Sequence, residues 1–115
     1  MTEAQLHKSV TDWLNLALVE PCWFTTFPAG GGGRIRGANL KGMGLKPGVP
    51  DILVLCPRKA PIWIELKTAK GKVSKVQKEC HQDLKAAGSV VAVCRTIGEV
   101  AEVLRGWQVP LRAAA

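Results

Sequence analysis

A chain of 115 residues can build one core but not two, so residues 1–115 are expected to form a single domain. Its composition, 47% hydrophobic and 22% charged, is that of a globular protein and argues against a disordered segment. Sixteen Lys and Arg against nine Asp and Glu give a net charge of +7, which favours a polyanionic partner, with nucleic acid the usual one and a merely soluble basic protein the alternative.

Residues 2–19 carry apolar side chains at helical spacing. Leu6, Val10, Trp13, Leu14 and Ala17 form one stripe, Thr2 and Gln5 fit a capping box, and Pro21 ends the helix. Glu3 falls in the first turn, where a carboxylate favours the helix N-terminus. His7 lies one turn on along the same face, as a surface histidine or a phosphate contact. Residues 22–27, Cys-Trp-Phe-Thr-Thr-Phe, predict a short strand from their aromatic and β-branched content.

From Pro28 to Pro50 the periodicity is lost. Four consecutive glycines, Gly30 to Gly33, precede Arg34, Arg36, Lys41 and Lys46. Glycines let a backbone approach a ligand closely, and arginines suit phosphate. The stretch therefore predicts a flexible DNA-contacting flap ending beside Asp51, with an ordinary mobile loop as the alternative. Neither Ser nor Thr follows Lys41 or Lys46, which excludes a P-loop.

Two apolar runs, Ile52 to Cys56 and Ile62 to Lys67, flank Pro57-Arg58-Lys59-Ala60-Pro61 and predict a β-hairpin with a five-residue connection. A basic turn follows, with Lys70 and Lys72. The next helix, about 74–87, opens on a Ser74–Gln77 capping box, turns Val76, Cys80, Leu84 and Ala87 inward, and stops at Gly88. The continuous apolar run 89–94 predicts a fully buried strand. Thr96 and Glu99 cap a last helix with Ile97, Val100, Ala101, Leu104 and Trp107 inward; Pro110 ends it and 111–115 form a loose tail. The order is α-β-β-β-α-β-α, an α/β chain.

Cys22, Cys56, Cys80 and Cys94 are widely spaced and include no C-x-x-C pair, so free thiols in a reducing cytoplasm are expected in place of zinc ligands or disulfides. No segment resembles a signal peptide or approaches membrane-spanning length, which predicts a soluble intracellular protein without a membrane partner.

The hairpin concentrates the chemistry. Pairing Cys56 with Ile62 sets Ile52 opposite Leu66 and Asp51 opposite Lys67, so Asp51, Glu65 and Lys67 share one face. Two neighbouring carboxylates repel each other unless a cation sits between them. Oxygen ligands of this kind suit Mg²⁺ or Mn²⁺, and a lysine beside such an ion can orient a water or offset charge building on a phosphate. The pattern suggests metal-assisted hydrolysis of a phosphodiester; a hairpin whose Glu65 and Lys67 merely pair on a solvated face is the alternative.

Pro50-Asp51, thirteen residues, then Glu65-Leu66-Lys67 resembles the motif of the PD-(D/E)XK nuclease superfamily. The small size and Lys46-Pro47-Gly48-Val49-Pro50-Asp51 look most like its VRR-NUC branch, seen in stand-alone phage and bacterial proteins. The resemblance spans nearly the whole chain. It implies a restriction-endonuclease-like core, a mixed sheet flanked by helices, in the cytoplasm of a bacterium or phage-infected host. It also implies a Mg²⁺ or Mn²⁺ site made by Asp51, Glu65 and the Leu66 carbonyl, with Glu3 contributing through water, and Lys67 acting on the attacking water. Gln77 matches a glutamine that reaches the active site in related nucleases, although capping alone also explains it. Some relatives carry a tyrosine four residues later; here His81 stands there, and no catalytic role is assigned to it.

Stand-alone relatives imply a structure-selective endodeoxyribonuclease, working as a homodimer on branched DNA such as four-way junctions in DNA repair. Arg34, Arg36, Lys41, Lys46, Lys70 and Lys72 would contact the DNA, and apolar surface around Trp23, Trp63 or Trp107 would meet the partner subunit. Two rival readings stand beside this one. The first is a non-cleaving basic DNA-binding accessory protein of the same fold; the second is a same-fold nuclease acting on RNA or on a specific duplex sequence.

Overall fold

A computed structural model describes residues 1–27 and 41–112. Arg34, Arg36 and most of the expected flap lie outside the described residues, as do 113–115. The elements run α1 (Glu3–Ala17), β1 (Trp23–Thr26), β2 (Ile52–Leu55), β3 (Ile62–Leu66), α2 (Lys75–Ala86), β4 (Val90–Cys94) and α3 (Ile97–Gly106), in the predicted order. The strands form one sheet in the order β1-β2-β3-β4, antiparallel except for the β3–β4 pair, which the crossover through α2 makes parallel.

Ile52, Val54, Ile62, Ile64 and Leu66 point to one face of the sheet and pack with Leu6, Val10 and Leu14 of α1 and Val100 and Leu104 of α3. The opposite face meets α2. Side-chain alternation therefore sends Glu65, between Ile64 and Leu66, towards α2.

The hairpin register differs from expectation. Ile52 pairs with Ile64, not Leu66, and the last pair is Val54 with Ile62. A turn closed by the Lys59 N–H on the Cys56 carbonyl, with Arg58 at φ 61°, takes Cys56 out of the ladder, and Pro61 has no N–H to offer it. The slip is two residues, so the facing is preserved. A slip of one would have turned Glu65 into the apolar layer.

Four further expectations are corrected. The strand 89–94 is not fully buried: among the described residues β4 pairs only with β3 and is an edge, and of its residues Cys94 alone is fully buried in the core. On α2, Val76 and Ala87 are exposed, and the inward positions are Cys80 and His81. Trp107 is 53% exposed, because α3 stops one residue before it. Gln108 then adopts φ 60°, its N–H donates to the Arg105 carbonyl, and the Val109 N–H donates to Leu104, a Schellman closure that puts Val109 into the core instead. Residues 111–112 are not loose: Leu111 bridges to Leu18, and the Arg112 N–H donates to the Ala17 carbonyl at 2.8 Å.

All four cysteines are free thiols. Cys22 and Cys56 flank the Trp23–Leu55 pair, and burial, with the neighbouring Cys22 thiol adding to it, pushes the Cys56 thiol up to about 12. No helix among the described residues is long and apolar enough to cross a membrane.

Candidate active site

Asp51 stands at the bend that opens β2 and is held from both neighbouring strands. The Phe27 N–H donates to its carbonyl, and the Leu66 N–H donates to its Oδ2, both at 2.7 Å. The approach to this bend depends on Gly48, at φ 81°. A Cβ there would lie 2.6 Å from the Val76 carbonyl oxygen, so only glycine lets residues 46–49 rest on the first turn of α2.

Glu65 is 2% exposed and is met by two side chains of α2. Gln77 Nε2 donates to its Oε2 at 3.4 Å, and His81 Nε2 lies 3.3 Å from its Oε1. Gln77 makes the expected cap and also contacts Glu65. Its Oε1 accepts from the Ser74 N–H at 2.9 Å, completing the capping box, while its amide nitrogen serves Glu65. His81, to which the sequence pattern gave no role, is 7% exposed and touches the site directly. Its signal was the four-residue spacing from Gln77, which puts the two on one helix face.

Burial raises the Glu65 carboxyl most, and the charge of Asp51 raises it further, against the opposing pull of Lys67; it stands at about 8. His81 is moved the other way, below its ordinary value, by burial and then by Lys85 and Lys67. Both shifts favour the uncharged forms, so the contact has the character of a hydrogen bond more than of an ion pair. Lys67 is 8% exposed, and its N–H donates to the Cys94 carbonyl at 3.1 Å.

A cleft of about 460 Å³ opens beside Asp51, lined by Glu3, His7 and Lys8 of α1 with Thr26, Asp51 and Leu66. The N-terminus of α1 thus faces Asp51, and Glu3 adds a small upward push on Glu65. Lys70 and Lys72 are exposed in the turn after Lys67. Lys41 is exposed, and Lys46 lines a separate groove against Val76, Glu79 and Asp83, so neither borders the Asp51 cleft.

Among the described residues no three His, Cys, Asp or Glu side chains form a ready ligand cage. Two carboxylates and a carbonyl are instead the sparse oxygen set that suits an ion retaining most of its waters. The mutual repulsion that lifts Glu65 is also what a bound cation would relieve, and the residues fit such an ion.

The VRR-NUC domain family model matches residues 2–97. Among solved structures, one described as a VRR_NUC domain protein superimposes with a TM-score of 0.77 at 23% identity, covering 94% of this chain and 88% of its own. No curated protein sequence matches.

Proposed function

Because the chain belongs to the VRR-NUC domain family and carries its nuclease fold, we propose that it is a Mg²⁺- or Mn²⁺-dependent endodeoxyribonuclease that cuts phosphodiester bonds in branched DNA, such as four-way junctions. The observation that carries this reading is the proximity of Asp51 and Lys67 to Glu65, whose carboxyl feels both charges, with the Leu66 N–H on Asp51 Oδ2. Asp51, Glu65 and the Leu66 carbonyl would hold the ion, with Glu3 reaching it through water. When bound, it lowers the pKa of water and screens phosphate charge.

The remaining work falls to the chain. Gln77 and His81 hold Glu65 by its two oxygens and limit its rotation. Lys67, as a cation beside the carboxylates, orients the attacking water and offsets negative charge developing on the phosphate. Lys70 and Lys72, with Arg34, Arg36, Lys41 and Lys46, bind the phosphate backbone by charge alone, which favours recognition of DNA shape over base sequence.

A homodimer is the assembly inferred for a junction substrate, since two-fold symmetry presents two sites to two strands. Trp23, 56% exposed on edge strand β1 beside the exposed Leu55, and Trp107 supply apolar surface in support.

The test offers purified protein with Mn²⁺ a linear duplex, single strand, flap, four-way junction and RNA side by side. The expected result is junction cleavage that EDTA and Glu65→Ala both abolish. Binding without metal-dependent cleavage would favour a non-catalytic DNA-binding protein, and preferential RNA cleavage would reassign the substrate.

A further inference from the structure

Arg95 connects β4 to α3, and its guanidinium makes no ion pair among the described residues. It is spent on backbone instead. Nη1 donates to the carbonyls of Thr68 and Gly71, the latter at 2.7 Å. The Arg95 N–H is itself fixed by the Glu99 carboxylate at 2.8 Å, at the start of α3. Thr68 and Gly71 bound the turn that follows Lys67, which the Gly71 N–H closes on the Thr68 carbonyl at 3.0 Å. A half-buried guanidinium donating twice into one short turn is a clamp on that turn.

The turn lies against Lys67. A methyl group placed at Gly71 would sit 3.5 Å from Lys67 Cδ and 3.3 Å from Thr68 Oγ1, so the Gly71 backbone already covers the lysine stem. The Lys67 backbone is held by the carbonyl of Cys94, the residue immediately before Arg95. A lysine has four rotatable bonds and scatters its ammonium unless its stem is packed. Here one end of β4 controls both the Lys67 backbone and the lid over its side chain.

We propose that Arg95 is a positioning residue: by clamping the 68–71 turn it holds the Lys67 side chain in place beside Asp51 and Glu65. What the held ammonium does rests on the nuclease reading above; how it is held does not. The other use of such a clamp would be to display Lys70 and Lys72 to a polyanion.

Two measurements on Arg95→Ala and the milder Arg95→Lys separate these. The first is the acylation rate of Lys67 by acetic anhydride, followed by peptide mass spectrometry, with exposed Lys85 as the internal reference. Arg95→Ala is expected to raise Lys67 labelling several-fold relative to Lys85, with Arg95→Lys in between because its ammonium still reaches a carbonyl. The second is steady-state cleavage with Mn²⁺. There Arg95→Ala should lower kcat by about tenfold to a hundredfold, the loss that a small misplacement of a reacting group brings, at unchanged KM. Unchanged Lys67 labelling in a folded Arg95→Ala protein overturns the proposal. A raised KM at wild-type kcat also overturns it and assigns the clamp to Lys70 and Lys72. Wild-type protein that cleaves nothing defeats the nuclease reading, while the labelling still decides the clamp.

Discussion

Glu65 and His81 face each other across 3.3 Å in the interior, with the carboxyl raised to about 8 and the imidazole lowered from its ordinary 6.5. In the unfolded chain Glu65 returns to its ordinary 4.5, so unfolding releases a proton between the two values. Stability that is present below 4.5 is lost as the pH rises through about 8. His81 acts with the opposite sign, but only below 6.5, so the decline between 6.5 and 8 belongs to Glu65. The Tm of the metal-free protein should fall across that interval, and Glu65→Gln should flatten the fall. By the same linkage, Mn²⁺ binding should release a proton below pH 8, measurable by calorimetry in buffers of different ionisation heat.

Gln77 separates capping from the site. Ser74→Ala removes the cap and should cost about 1 kcal/mol in denaturant unfolding while leaving cleavage intact. Gln77→Ala should cost a similar amount of stability and also reduce kcat, because Glu65 Oε2 loses its donor. Equal kcat in the two variants would remove Gln77 from the site.

Asp51, Glu65 and Lys67 should each abolish cleavage when replaced by alanine, but their stability costs should differ. Asp51→Ala leaves the Leu66 N–H without its acceptor and should cost about 1–3 kcal/mol, whereas Asp51→Asn keeps an acceptor oxygen and should be milder. Glu65→Gln removes a carboxylate from a repelling pair, so it should not destabilise the metal-free fold at pH 8. Chemical denaturation with parallel junction assays reads both effects.

Val109 and Trp107 should exchange the importance that their sizes suggest. Val109→Ala deletes two methyl groups from the core beside Leu104 and should cost about 1–3 kcal/mol. Trp107→Ala touches an exposed side chain and should cost about 0.5 kcal/mol or less in the monomer. If Trp107 lies in a dimer interface, its replacement should instead show in light scattering, as weakened association.

Replacing Arg34, Arg36 and Lys41 together with alanine should weaken DNA binding and reduce the slope of log K against log salt by about three at most, one per displaced counterion. A titration at several salt concentrations that gave the wild-type slope would exclude these residues from the interface.

Much of this protein was written locally. Helix starts follow from side chains reaching the next turn, so Thr2–Gln5 and Ser74–Gln77 marked α1 and α2 without knowledge of the fold. Strand alternation predicted which residues of β2 and β3 enter the apolar layer, and Ile52, Val54, Ile62 and Ile64 kept that facing despite a wrong register because the error was an even number of residues. What depends on neighbours distant in sequence was not legible. The apolar run 90–94 reads the same in the middle of a sheet as at its edge, and only strand order made β4 an edge. The apolar residues of α2 suggested Val76 and Ala87 as its inner face; contact with Glu65 turned His81 inward instead, because a buried carboxyl needs polar partners more than the helix needs one more apolar contact. Arg95, twenty-four residues beyond the turn it holds, had no local pattern at all; its place follows from the parallel pairing of β3 with β4, which brings the end of one strand beside the end of the other.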